Sequence, residues 1–310
     1  MPVRGSSRSR REEGGKGHEQ TSARTIGSNA REHSAVMLEE ALTQLALRDK
    51  DIVVDATYGR GGHSKAIKAA AKVKLIALDA DPAAGKGVIN ANFADLAEVL
   101  DKVGVERIDK ALFDLGWNMT QLASGRGFSF LADEPLNMSY GTTPRSGFTA
   151  AEVLNTWTEK TLADAIFGYG EERYARRIAR AIVRRRELAP FTSTIELVEV
   201  IKDAVPAPYR RGRLHPATRT FQALRMAVND ELGAIEHGLR AAWHALSPGG
   251  RIVVITFHSV EDRAVKRLFA ALAKAGEGTL LVKKPLVPSA SEIKRNPAAR
   301  SAKMRSIQKN

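Results

Sequence analysis

The spacing of apolar and polar positions divides the chain into regions of different period. Between residues 50 and 116, short apolar runs alternate with helical patterns. The runs are Ile52-Val53-Val54, Leu75-Ile76-Ala77-Leu78 and Ala111-Leu112-Phe113, with a weaker one at Val88-Ile89. Runs of that length without strict alternation predict strands buried on both faces, the habit of parallel sheets. Lys65 to Ala71 is rich in good helix formers, and Phe93 to Leu100 repeats its apolar residues at helical spacing. An earlier helical face is formed by Val36, Met37, Glu40, Ala41 and Leu45.

From Trp117 to Arg213 the strand–helix alternation stops. Helical patterns cover Ala150 to Trp157, Leu162 to Phe167, Glu171 to Arg186 and Ile195 to Ala204, after an irregular, partly buried stretch that holds Arg126 to Phe130 and Leu136 to Met138. Phe221, Leu224, Val228 and Leu232 then line one side of a helix that the pattern extends to Leu246. The Ser247-Pro248-Gly249-Gly250 turn leads into Arg251 to Phe257, again almost continuously apolar. The pattern predicts an α/β, doubly wound, Rossmann-like sheet with an inserted α-helical domain. Residues 1–31, rich in Ser, Gly, Arg and Glu, read as a disordered basic arm. The expected division is 32–118 for the first part of the α/β domain, 119–214 for the insertion, and 215–310 for the second part with a basic tail from Lys283.

The chain is organised around Asp55 to Ser64, where the first strand meets the first helix of the sheet. Its glycines, Gly59, Gly61 and Gly62, let the backbone approach a ligand at a helix N-terminus. Asp79 closes the next strand about 20 residues past Gly59, the distance at which a second-strand carboxylate meets a ribose. A dinucleotide turn needs a third glycine, and Ser64 stands there instead, which counts against a nicotinamide dehydrogenase. Asp114, and His258 at the end of the last apolar run, also stand at strand carboxyl ends, where open α/β sheets place their chemistry. Asp114 is also explained by a turn, and Ser259 with Asp262 three residues on suits a helix cap.

Charge adds a partner. The 310 residues carry a formal net charge of +13, which favours polyanions through counterion release. Arg173, Arg176, Arg177, Arg180 and Arg184 recur at three- and four-residue steps, a stripe suited either to solvent or to phosphates. With no cysteine, thiol catalysis, disulfides and cysteine-held metals are excluded. No run is long and apolar enough for a membrane span or follows the arm as a signal peptide would, so a soluble, cytoplasmic protein without membrane contact is expected.

Several strings together resemble one family, the bacterial methyltransferases that act on N4 of a cytidine in the decoding region of small-subunit (16S) ribosomal RNA. They are Glu32 to Met37, Gly59 to Ser64, Leu78 to Pro82, Asp114 to Gly116, Arg126 to Phe130, Tyr169 to Arg173, Ala175 to Ala179, His215 to Phe221 and Phe257 to Arg263. The resemblance implies a class I methyltransferase fold using S-adenosylmethionine, with 16S rRNA within the small subunit as partner; the family also allows a homodimer. It carries cofactor contacts onto Gly61, Gly62, His63, Asp79, Phe93, Asp114 and Gln121. Asp114 is the expected catalytic acceptor for the amine, and no metal ligand set is visible. The chain departs from the family at Trp117 to Thr120, where Val-Ser-Ser-Pro is usual, and at Asn137 to Gly141, where the family has Asp-Met-Arg-Met-Asp. Those changes keep a second reading open: an RNA-binding or ribosome-assembly protein that retains the fold without the activity.

Overall fold

The computed structural model describes residues 35–116 and 124–310. The expected N-terminal arm, Gln121 and the atypical Trp117 to Thr120 segment lie outside those residues. Seven strands form one sheet in the order β3-β2-β1-β4-β5-β7-β6. They are β1 (Ile52–Asp55), β2 (Lys74–Asp79), β3 (Ile89–Asn90), β4 (Ile108–Asp114), β5 (Leu246–Thr256), β6 (Gly278–Leu280) and β7 (Lys303–Lys309). The first five are parallel, and β7 runs antiparallel to both β5 and β6. Chain order reverses at β1, which lies between β2 and β4, and such a switch point opens a crevice at the strand carboxyl ends.

Strand burial on both faces, expected from the apolar runs, is what the packing shows. Val53, Leu112, Val253 and Ile255 point to one side, where α1 (Leu38–Leu45) and Ile67 of α2 (Gly62–Ala70) cover them. Val54, Ala111, Phe113, Ile252 and Val254 point to the other. There they meet α3 (Leu96–Lys102), just after a 3-10 turn at Phe93–Asp95, and two long helices described below.

The helical region builds a separate core. It contains α4 (Ala150–Thr156), α5 (Glu159–Gly170), α6 (Ala175–Arg186), α7 (Thr194–Ala204), the short α8 (Ala207–Arg210) and α9 (Thr218–Asn229). Phe128, Leu154, Ile166, Ile178, Ile182, Phe191, Leu197 and Phe221 are among the buried residues of this cluster. The helix read from Glu171 begins at Ala175. Glu171 ends α5 in the left-handed region, at φ 50°, and directs the chain into α6.

Three expectations are corrected. The helix extended to Leu246 is two helices: α9 stops at Asn229, Asp230 adopts φ 45°, and α10 (Glu231–Ala245) starts again. The apolar period runs through the break because both helices need it, but for different cores. Phe221, Leu224 and Val228 face the helical cluster, whereas Ile235, Leu239 and Trp243 face the sheet. Second, the basic tail contains β7, the penultimate strand of the sheet. Arg305 pairs with Asp262 at 2.7 Å, and the Lys309 ammonium donates to the carbonyls of Trp243 and Leu246 at 2.8 and 2.9 Å. These local partners let a strand rich in cations lie between two neighbours.

The third correction concerns α11 (Ser259–Lys274). His258, not Ser259, caps it. The His258 Nδ1 accepts from the Glu261 N–H at 3.3 Å, and the Glu261 carboxylate accepts from the amides of Phe257 and His258. Ser259 is already helical, and its hydroxyl donates to Glu171, which also pairs with Arg263. The imidazole offers the same acceptor as a cap hydroxyl one residue earlier, and the tertiary contact with Glu171 draws the serine away.

Candidate functional site

The glycine turn after β1 is tied to the end of β2. The Tyr58 N–H donates to the Leu78 carbonyl at 2.8 Å, and the Gly59 N–H donates to the Asp79 carboxylate at 2.7 Å. The other Asp79 oxygen accepts from the Asp81 N–H at 2.8 Å. Each oxygen keeps lone-pair capacity for a ligand hydroxyl. Burial raises the Asp79 pKa, with the two amide hydrogen bonds opposing. Gly61 sits at φ 74°, and a Cβ there would lie 2.5 Å from the Tyr58 ring. Gly62 is confined differently: a Cβ would meet that of Ala35 at 2.9 Å. The turn therefore needs glycine at both positions, one for conformation and one for the close pass of the segment before α1.

Pairing of β2 with β3 places Asp79 opposite Asn90, and the Asn90 amide donates to the Asp79 carbonyl at 3.1 Å. Three residues on, Phe93 packs edge-to-face against Phe113 with centroids 5.7 Å apart. Gly238 of α10 presses on its back; a Cβ there would be 2.7 Å from the ring. Asp79 and Phe93 thus lie along one margin of the crevice, a carboxylate beside an apolar edge.

At the other margin β4 ends in Asp114. Its N–H donates to the Thr57 hydroxyl at 2.7 Å, and one carboxylate oxygen accepts from the Gly116 N–H at 3.2 Å. The second oxygen stands 3.6 Å from His63 Nδ1. His63 is buried, and its Nε2 lies 3.1 Å from the Val36 carbonyl. A carbonyl only accepts, so Nε2 carries hydrogen. Nδ1 then faces the Asp114 carboxylate. Burial raises the Asp114 pKa, and the His63 charge opposes it. Asp55, also raised by burial, takes the Ser64 hydroxyl at 2.6 Å. That bond accounts for serine where a dinucleotide turn has glycine.

Of the residues expected from the sequence, the fold brings Gly61, Gly62, His63, Asp79, Phe93 and Asp114 to the carboxyl ends of β1, β2, β3 and β4. Gln121 lies outside the described residues. His63 is placed to orient Asp114 rather than to line open space.

A buried polar network next to the site was not visible in the sequence reading. Arg225 of α9 is 2% exposed and grips Glu231 at 2.6 and 2.8 Å across the Asp230 break. The Tyr140 hydroxyl donates to Glu231 at 3.0 Å, and burial pushes the Tyr140 pKa well above its usual range. Arg225 also stands 3.4 Å from His258 Nε2, which lies 3.1 Å from Glu261. Glu231, His258 and Glu261 bring ligand atoms within 4.8 Å of one another, the kind of set a metal ion uses, but the Arg225 guanidinium is the cation lodged among them. One signal pointed here: Arg225 lies on the same helical stripe as Phe221, Leu224 and Val228, where a charge needs a buried partner.

The loop before α4 is pinned over this network. Arg126 reaches Asp81 at 3.2 Å and the Tyr140 carbonyl at 2.7 Å. Gly127 has φ 85°, and a Cβ would lie 2.3 Å from the Pro135 carbonyl oxygen. The Asn229 amide holds the Met138 carbonyl at 2.8 Å. On the outside of the helical region, Arg173 stacks on Tyr174 and Tyr209 at 4.8 and 5.0 Å, and Arg180 pairs with Glu159 at 3.5 Å.

A family model described as the MraW methylase family matches residues 30–310. A relative from Carboxydothermus hydrogenoformans named Ribosomal RNA small subunit methyltransferase H is 44% identical over 306 residues, covering 89% of this chain and 97% of its own. One of the same name from Methylocella silvestris is 43% identical over 321 residues, covering 94% and 90%. Among solved structures, an rRNA methylase from Streptococcus thermophilus superposes with a TM-score of 0.39 at 12% identity, over 87% of this chain and 94% of that one.

Proposed function

This chain belongs to the MraW methylase family, and we propose that it methylates the N4 amine of a cytidine in 16S rRNA within the small ribosomal subunit. With a ribosomal substrate, the reaction belongs in the cytoplasm. S-adenosylmethionine, when bound, supplies an electrophilic methyl group on a sulfonium. The chain fits it: Gly61 leaves a cradle that a Cβ would disrupt, Asp79 offers acceptors for ribose hydroxyls, and Phe93 offers an apolar edge for adenine.

The exocyclic amine of cytosine is a weak nucleophile because its lone pair is delocalised into the ring. What the protein adds is alignment and an acceptor for the amine hydrogen as the nitrogen becomes tetrahedral. Asp114 takes that role. The N–H of Gly116 and the His63 imidazole hold its carboxylate, and burial makes it a stronger base than an exposed aspartate. With S-adenosylmethionine bound, the cytosine amine would gain the methyl as the thioether is released, and the amine proton would pass to the Asp114 carboxylate. The base must leave its stack to reach the site.

The observation that carries this reading is the position of Asp114, a half-buried carboxylate at the switch point beside the glycine turn. The test is incubation of the protein and its Asp114→Ala variant with methyl-labelled S-adenosylmethionine and purified small subunits. Label recovered as N4-methylated cytidine with the parent and absent with the variant supports it. Cofactor binding with no transfer by the parent would favour the non-catalytic, RNA-binding reading, for which Ser139 and Gly141 speak: the Arg and Asp usual there are both replaced. For RNA contact, the exposed Arg173, Arg176 and Arg177 are the better probes, since Arg180 already pairs with Glu159. Replacing the three by Gln lowers affinity and reduces the salt slope by roughly 2 to 3 if each neutralises a phosphate.

A further inference from the structure

At the amino ends of the central strands, away from the crevice, two cations stand side by side. Lys110 of β4 is in register with Arg251 of β5, and both point to the side of the sheet that α1 covers. Like charges directly opposite one another in a sheet are destabilising unless something compensates. Lys110 is 5% exposed, yet among the described residues its ammonium has no hydrogen-bond acceptor, and its ion-pair partner Asp51 is 3.8 Å away. That same Asp51 oxygen already accepts from the Arg48 N–H at 2.9 Å, and Asp109 accepts from the Ile52 N–H at 2.8 Å. Arg251 spends donors on Gln308 and Gln44. Burial lowers the Lys110 pKa; Asp51 opposes this, and Arg251 and Arg48 add to it.

These groups share a recess of about 170 Å³, into which Arg48 and the Pro248 to Gly250 turn also face. The turn is out of the ladder: pairing jumps from Ile108 opposite Leu246 to Lys110 opposite Arg251, and Gly249 takes φ 77°. Glycine turns of this kind expose backbone N–H groups to anions. The recess thus brings three cations and a glycine turn against two carboxylates that are each partly engaged.

We propose that this recess is a binding site for a small tetrahedral oxyanion of the phosphate class, held by Lys110, Arg251 and Arg48. It lies about 13 Å along β4 from Asp114, four residues at roughly 3.3 Å each, so it is separate from the methyl-transfer crevice. It fits a free anion better than a polymer backbone, because Lys110 is almost wholly enclosed.

The test is calorimetric titration of the full chain with inorganic phosphate replacing chloride at constant ionic strength. The expected result is saturable binding, weakened about tenfold or more by Lys110→Met or Arg48→Gln, the loss of one charge-assisted contact. Lys160→Gln, an exposed lysine paired with Asp164, should leave it unchanged. Arg48 is exposed and binds Asp51 only through its backbone, so Arg48→Gln decides the matter if Lys110→Met fails to fold. A second arm adds a short RNA oligonucleotide to the phosphate-loaded protein. Displacement that depends on Lys110 assigns the site to an RNA phosphate; no displacement assigns it to the free ion. Absence of saturable heat, or equal heat in the folded Lys110→Met and Arg48→Gln variants, would overturn the proposal.

Discussion

Replacing Asp79 tests the cofactor cradle most directly, and the informative variant is the one usually thought mild. Both carboxylate oxygens accept from backbone amides, Gly59 at 2.7 Å and Asp81 at 2.8 Å. Asn keeps the shape but offers one acceptor and one N–H donor. One of the two amides would then face a donor, so Asp79→Asn should cost about as much as Asp79→Ala. Removing a charged acceptor from a part-buried amide costs on the order of 1–3 kcal/mol. For a chain of this size that is a fall in Tm of roughly 2–5 °C. Ligand affinity should fall further than stability. The ribose loses one or two charge-assisted hydrogen bonds, about 1.5–3 kcal/mol each, or on the order of 100-fold in Kd. Thermal unfolding and calorimetric titration with S-adenosylmethionine measure the two effects separately. An Asp79→Asn protein that binds within about threefold of the parent, while Asp79→Ala does not bind, would refute the reasoning, since it would mean that a carbonyl oxygen suffices.

Methyl transfer should fall in acid through a group titrating above the usual aspartate range, because burial raises Asp114 and the protonated form cannot accept from the amine; a rate–pH profile with no acid limb above that range would count against this role. The sign for stability is opposite: a carboxyl raised on folding lowers stability once ionised, and Asp114, unlike Asp79, accepts from a single backbone amide that an Asn carbonyl still satisfies, so Asp114→Asn should unfold at an equal or higher temperature than the parent at neutral pH, by differential scanning. Arg225→Met strands the buried Glu231 and should cost roughly 3–5 kcal/mol in denaturant unfolding, whereas Arg225→Met combined with Glu231→Leu should recover much of it. Gly127→Ala forces a Cβ to 2.3 Å from the Pro135 carbonyl and an L-residue to φ 85°; a loss of about 2 kcal/mol or more is expected, and a loss below 0.5 kcal/mol would show that the loop yields.

How much of the site could be read in advance follows from the range of the forces involved. Asp79 and Asp114 were legible because each ends an apolar run, and the glycine turn because Gly61 must adopt a positive φ beside its own neighbour Tyr58. His63 was expected to touch a cofactor, and its bond to Val36 could not be foreseen, since 27 residues separate them. The Ser259 cap is lost for a similar reason: Ser259 is the better local cap, but Glu171, 88 residues away, holds its hydroxyl, and His258 caps the helix instead.

By itself, the sequence determined the strand runs, the turn chemistry, the charge and the kinship, because period and backbone conformation depend on residues close together in the chain. The tertiary structure alone decided that a basic terminal segment becomes β7, that one helical pattern breaks at Asp230 to serve two cores, and that Lys110 stands beside Arg251. Each of these depends on which distant backbone a strand pairs with and on which partner meets a charge once water is removed. Neither is written in local spacing, because desolvation and ladder pairing act between segments that only the completed fold brings together.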